Sequence, residues 1–242
     1  MLRLACNRDE RRQRPQAHPP LIARAGRLQV LMPQDPAARG TWIAANSAGL
    51  VLALLNAHDD RPRPARLSRG VIIPPLMACA SLDEVAYEAD AIPPGDFAPF
   101  RLLAADARDV VEFTVRDGDW DVHVQAIAEP LLFTASSLGD AIADGPRRML
   151  FEQMLSTPWD LPAQQDAFHA HRWRDRPAVS VHMSRPEACT VSTTTVEVTP
   201  EQVRMVYQPA HDAAGTHVGL VLDRQDAGRA AAGRTRREHA AV

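Results

Sequence analysis

A chain of 242 residues, 45% hydrophobic and 24% charged, can bury the core of one sizeable domain, so its length does not demand two. A formal net charge of -3 argues against a protein that coats nucleic acid and favours small-molecule partners. All 27 basic residues are arginine, a side chain that grips carboxylates and phosphates with two parallel bonds; a GC-rich coding bias accounts equally for the abundance of Ala, Arg, Asp and Pro.

The three cysteines, Cys6, Cys79 and Cys189, are too scattered for a disulfide framework and form no Cys-x-x-Cys metal pair, which suits a reducing cytoplasm. No apolar run approaches the roughly 18 residues that span a bilayer, and the N-terminus is too polar for a signal peptide. A cytoplasmic protein with no membrane span, no metal site and no cofactor is expected.

The chain opens with Leu2-Arg3-Leu4-Ala5, which reads as the end of a buried strand and is short for one. Cys6-Asn7-Arg8-Asp9-Glu10 follows at once. Polar side chains at a strand end are held by the strand and reached through the following loop. Asp9 and Glu10 are adjacent and diverge on an extended chain, so a glycosidase-type carboxylate pair is not implied. An inward Asp beside an Arg keeps its charge and can hold an amine or orient a nucleophile; a structural Arg-Asp pair with the other charges in solvent fits the same residues.

From Arg11 to Arg27 the prolines predict a surface loop. Thr41 to Ala45 and Leu50 to Leu55, around Asn46-Ser47-Ala48-Gly49, predict a hairpin, and the unbroken apolar second run predicts a strand covered on both faces. Two helices are expected over 70–80 and 81–91, the second opened by Ser81 and Glu84 as a capping box. Strands are expected over 101–105, 110–115 and 120–126, with Asp117-Gly118 as a turn, and again over 131–134. Helices at 146–155 and 162–173 precede strands at 178–183, 189–198 and 202–208. Arg147-Arg148 reads as a solvated helix face. His169 and His171 are two apart and do not face each other on a helix, and His182 near Ser184 lacks an assigned Asp. The expected organisation is one domain over 1–210 with a flexible tail over 211–242, in which only Val218 to Leu222 shows periodicity. The order of elements suits an α+β domain of two antiparallel sheets with helices outside.

The Asn7-Arg8-Asp9-Glu10 block resembles the signature of the NRDE family, the family of transport and Golgi organisation protein two, whose members look like N-terminal-nucleophile hydrolases. Arg39-Gly40-Thr41-Trp42, the run from Gly49-Leu50 to Leu55-Asn56, and Ser68-Arg69-Gly70 are similar to further family motifs in the same order. Phe133 to Ser137 and Ala188 to Val198 match more loosely. The resemblance implies an αββα four-layer sandwich. It also implies catalytic roles for Asp9, which steadies an amine, and Asn56, which donates to an oxyanion. Asn7, Arg8, Trp42 and Ser136 would line the pocket, with Ser136 or Ser137 at the second oxyanion position. Family members open Met-Cys and then a strand, whereas residue 2 here is Leu, and Cys6 lies inside a strand without a free α-amine. The expectation is a truncated first strand and an amide-bond hydrolase whose nucleophile lies outside this chain. The alternative is a non-catalytic carrier or trafficking protein for haem or acyl-lipid ligands.

Overall fold

The computed structural model describes residues 1–57, 65–116, 119–157, 159–210 and 217–225. The chain begins with β1 (Leu2–Arg11) and then builds a sheet whose strands lie in sequence order. These are β2 (His18–Ala25), β3 (Leu28–Gln34), β4 (Ile43–Asn46), β5 (Val51–Asn56), β6 (Phe100–Ala105), β7 (Asp109–Arg116) and β8 (Asp119–Ala126). Two helices, α1 (Ile73–Leu76) and α2 (Leu82–Asp90), interrupt the sheet between β5 and β6, and α3 (Asp140–Met154) and α4 (Leu161–Ala170) follow it. The chain then returns as β9 (Ala188–Val198), β10 (Gln202–Pro209) and β11 (Val218–Asp223), which join β1 in a second antiparallel sheet ordered β1-β9-β10-β11.

Strand alternation assigns the layers. Leu31, Ile43, Val51 and Leu103 of the large sheet pack against Leu2, Val196, Val203 and Met205 of the small one. The neighbouring residues Ala44, Leu52, Leu102 and Ala104 point the other way, onto Ile73 and Leu76 of α1 and Val85 and Ala89 of α2. On the outer side of the small sheet, Arg3 of β1 meets Asp166 of α4 at 2.5 Å and Glu197 of β9 at 3.3 Å, and Phe151 of α3 stacks edge-on with Phe168 of α4 at 5.4 Å. The result is the expected α+β, αββα four-layer sandwich. β5 is covered on both faces over Val51–Ala53, as its unbroken apolar run requires. No helix among the described residues is long and apolar enough to cross a membrane.

Several boundaries differ from the sequence expectation. β1 is ten residues long, not four, and pairs with β9 along its whole length; the polar block therefore lies within the strand, because ladder bonds to β9 outweigh the low β-propensity of Asn and Asp. The Pro-rich segment expected as a loop contains β2, which is tolerated because β2 is an edge strand and its register shifts between His18 and Leu21, around Pro19 and Pro20. The helix expected over 70–80 shrinks to a 3-10 turn at Arg69–Val71 and the four residues of α1, with Pro74 and Pro75 in the opening turn. Residues 131–134 form no strand, and 178–183 hold a 3-10 turn at Pro177–Val179 instead. α3 starts at Asp140 and runs through Pro146. Val218–Asp223, placed in the tail by sequence, pairs with β10; residues 211–216, 226–242 and the Asp117-Gly118 turn lie outside the described residues.

Two glycines hold the two motif segments together. The backbone of Gly40 passes so close to Gly70 that Thr41 N–H donates to the Gly70 carbonyl at 2.9 Å. A Cβ on Gly40 would lie 2.3 Å from the Gly70 carbonyl carbon and oxygen, whereas one on Gly70 would meet Gly40 at 3.3 Å. Backbone cannot swing aside as a side chain can. Gly40→Ala is expected to lower stability by about 3 kcal/mol and Gly70→Ala by clearly less, measured by urea unfolding; equal losses would show that the contact does not decide.

Candidate functional site

The polar block is divided by the pleat of β1. Successive side chains of a strand point to opposite faces, so Asn7 and Asp9 face the helical layer while Arg8 and Glu10 face the large sheet. The register shift between Arg8 and Asp9, where β9 carries an extra residue opposite β1, pairs Arg8 with Ser192 and Asp9 with Thr190. The six expected site residues therefore do not line one pocket.

On the inner face, Arg8 is 7% exposed and donates to Asp35, just beyond β3, at 2.5 Å. Its guanidinium lies 4.5 Å from the centre of the Trp42 ring, a cation-π contact. Arg14 Nε donates to the same Asp35 oxygen at 2.9 Å and lies 3.2 Å from Glu10. Asp35 also accepts the Ala37 and Ala38 amides. Burial works against its charge, but the Arg14 bond, these amides and the Arg14 charge outweigh burial and hold the carboxyl below the ordinary aspartate value. This network joins the two sheets, and Arg8 and Trp42 are built into it. A cavity of about 460 Å³ opens beside it, walled by Arg8, Glu10, Arg12, Arg14 and Tyr207. The Trp42 indole N–H and the Ser192 and Thr194 hydroxyls are buried without partners among the described residues.

On the outer face, the Asn7 amide donates to the His169 and Val181 carbonyls at 2.9 and 3.1 Å and accepts from Thr193 at 2.8 Å. Asn7 ties β1 to α4 and to the turn beyond it. Asp9 is exposed and accepts the Thr190 hydroxyl at 2.5 Å, while Thr190 in turn accepts the Met183 amide at 2.9 Å. The crowding protein strips water from the Asp9 carboxyl and raises its pKa, against the Thr190 bond and the charges of Arg147 and Arg185. Ser136 is buried and accepts from Arg185 at 3.0 Å and from the Leu138 amide at 3.2 Å. Ser136 thus joins Asp9 through Arg185. Asn56 ends β5, exposed and opposite Phe100.

Cys6, on the inner face of β1, packs half-buried against the core between the sheets, with its thiol pushed up to about 12 by burial first and by Asp9 second. A thiol at that value is protonated near neutrality and is a poor nucleophile. Arg147 and Arg185 are the site residues that sequence inspection misses. Arg147 is buried, not solvated, and only its neighbour Arg148 is a surface residue, paired with Asp144 at 3.2 Å. The signal was available in the apolar spacing of α3, which puts Ala143 and Arg147 on one buried stripe.

Removing the Asp35 charge would leave the buried Arg8 only Glu10, at 3.6 Å, as a counter-charge, shared with Arg14. Asp35→Asn is expected to cost about 3 kcal/mol at pH 7. Because the folded-state pKa lies below the ordinary 3.8, the wild-type stabilisation is complete above that value and disappears as pH falls through the lowered one. The gap between variant and wild type in urea unfolding should therefore close in acid, and a gap that persisted there would contradict the charge network.

A comparison with curated protein sequences finds no match. Among solved structures, two variants of conjugated bile acid hydrolase from Clostridium perfringens are similar, one with an arginine replaced by leucine and one with a cysteine replaced by alanine. They align over 92% of this chain and 88% of theirs, at 9% and 10% identity and a TM-score of 0.45 each, a likeness too distant to carry an argument. The sequence pattern of the Transport and Golgi organisation 2 family matches residues 1–140, which take in the Asn7 to Glu10 block, the Gly40–Gly70 contact and the whole seven-stranded sheet. More than half of the sequence is covered, and the chain belongs to the Transport and Golgi organisation 2 family.

Proposed function

We propose that this chain is an N-terminal-nucleophile-hydrolase-like protein whose Asp9 holds the amine of a small amide. The observation that carries this reading is Asp9 itself: a residue exposed at the outer face of β1, its carboxylate crowded by protein and oriented by Thr190. An ammonium group docking there regains, through a charge-assisted bond, what the carboxylate loses by desolvation.

Hydrolysis of the amide needs a nucleophile. Cys6 does not provide it, since its thiol stands near 12 and its nitrogen is part of the peptide chain. The roles assigned here are therefore binding and orientation of the amide, and turnover depends on a nucleophile other than Cys6 reaching Asp9.

Calorimetric titration with glycylglycinamide, which has an ammonium and an amide but no carboxylate, tests the reading. Asp9→Asn should weaken binding at least tenfold, and Cys6→Ala should leave it unchanged. Wild-type affinity in the Asp9 variant would refute it.

The carrier reading has support of its own for acyl ligands only. A cavity of about 470 Å³ between residues 129–133 and α3 carries an apolar strip of Leu131, Leu132, Phe133, Phe151 and Leu155 for a hydrocarbon chain, beside Glu129, Arg148 and Glu152. Among the described residues, the lining of this cavity and of the one beside Arg8 includes no histidine. A fluorescent fatty-acid probe should brighten on titration with the protein and respond less to Phe151→Asp; an identical response from both proteins would remove the acyl reading.

A further inference from the structure

Two buried guanidiniums act electrostatically on Asp9, and among the described residues neither forms an ion pair with a carboxylate. Arg147, 6% exposed, donates to the carbonyls of Val179, Ala135 and Ser180 and to the Thr134 hydroxyl, at 2.9 to 3.1 Å. Arg185, 7% exposed, donates to the Ala178 carbonyl at 3.0 Å and to the hydroxyls of Ser136 and Ser137 at 3.0 and 2.7 Å. Every one of these partners is neutral. Both arginines act electrostatically on Asp9, and Arg185 also opposes the charge of Arg147. Asp144, the other acid that acts on Arg147, is engaged by Arg148. Nearby, Arg12 binds the Arg185 carbonyl and the Ser184 hydroxyl, which are again neutral oxygens.

The charge of one carboxylate is thus set against two buried cations. Burying a charge without a counter-charge is costly, and neutral oxygens satisfy the N–H geometry of a guanidinium without cancelling its charge. The arrangement favours one more negative group, and Ser137 gives the route to it. Ser137 is exposed, and its oxygen accepts from Arg185, which leaves the hydroxyl proton to donate outward. The guanidinium behind it strengthens that donor. Ser136, buried and accepting twice, does not offer the same exposed face.

We propose that the small amide taken by this site is zwitterionic: its ammonium end meets Asp9, and a free carboxylate at its other end meets the Ser137 hydroxyl backed by Arg185. This rests on the Asp9 reading and adds a substrate class to it, short amides that end in a carboxylate. Arg185 is a positioning residue, acting through Ser137 and through its field.

The test compares glycylglycine with glycylglycinamide, which differ only in the terminal carboxylate, by calorimetric titration of the full chain. Glycylglycine should bind at least tenfold more tightly. Ser137→Ala, which removes one exposed hydroxyl, should reduce that preference at least threefold. Arg185→Gln should abolish it, with thermal unfolding monitored because Arg185 also holds the 136–137 and 178 segments. Asp9→Asn should weaken both ligands while leaving their ratio intact. Equal binding of the two by the wild-type chain, binding of neither, or an unchanged ratio in Ser137→Ala would overturn the carboxylate assignment. A preserved ratio together with undiminished binding in Asp9→Asn would instead overturn the Asp9 reading and leave the carboxylate site standing.

Discussion

The pairing of β1 with β9 is the constraint on which the rest of this molecule depends. Ten residues of β1 are held against β9 with one register shift, after Arg8, and the two-residue period of a strand does the rest. It sends Arg8 and Glu10 toward the large sheet and Asn7 and Asp9 toward the helices. A slip of one residue would exchange the faces, driving Asp9 among the side chains between the sheets and taking Arg8 away from Asp35. One short polar motif therefore serves two layers, and the apolar positions Leu2 and Val196, packed between the sheets, hold the register that keeps them apart.

The two sides of the motif handle arginine differently. On the inner side, Arg8 and Arg14 converge on Asp35, with Glu10 beside them, so buried positive charge is met by carboxylate. On the outer side, Arg147 and Arg185 bind carbonyls and hydroxyls, and the flat, five-donor guanidinium lets each clamp several strands of irregular chain at once. The 134–137 and 177–180 segments have no sheet ladder to hold them, and these two side chains supply much of what a ladder would. An arginine that ties loops together and also lends its field to a neighbouring carboxylate is a structural residue with a chemical consequence.

Much of the fold was legible because it depends on local pattern. The β4–β5 hairpin, with the buried Asn46 amide closing its turn through Ala48, Leu50, Met77 and Cys79, follows from two apolar runs around a Gly-ended turn. Ser81 caps α2 by accepting the Glu84 amide, while Glu84 reaches back to the Ala80 amide, one residue before the partner that a strict capping box would give. The misreadings have common causes. Prolines at 19 and 20 mark a loop by propensity, yet an edge strand accommodates them; Leu131 to Thr134 has the composition of a strand but pairs with none, and Leu131 and Phe133 pack against the core between the sheets instead.

The sequence by itself determined the alternation of apolar residues that makes two sheets with helices outside, the polar block at the start of the chain and the glycines that mark close backbone approach. These follow from side-chain period, turn chemistry and missing Cβ atoms, all local properties. Only the tertiary structure decided which side chains of the block share a face, that both amide donors of Asn7 are used, that Trp42 lies under Arg8, and that Arg147 is buried while Arg148 is not. Those outcomes depend on register and on groups brought together from distant parts of the chain: Asp9 meets Thr190 only when β9 has come back to pair with β1, and feels Arg147 and Arg185 from outside both strands. Charge, burial and hydrogen-bond saturation are set by such neighbours, and no reading of adjacent residues contains them.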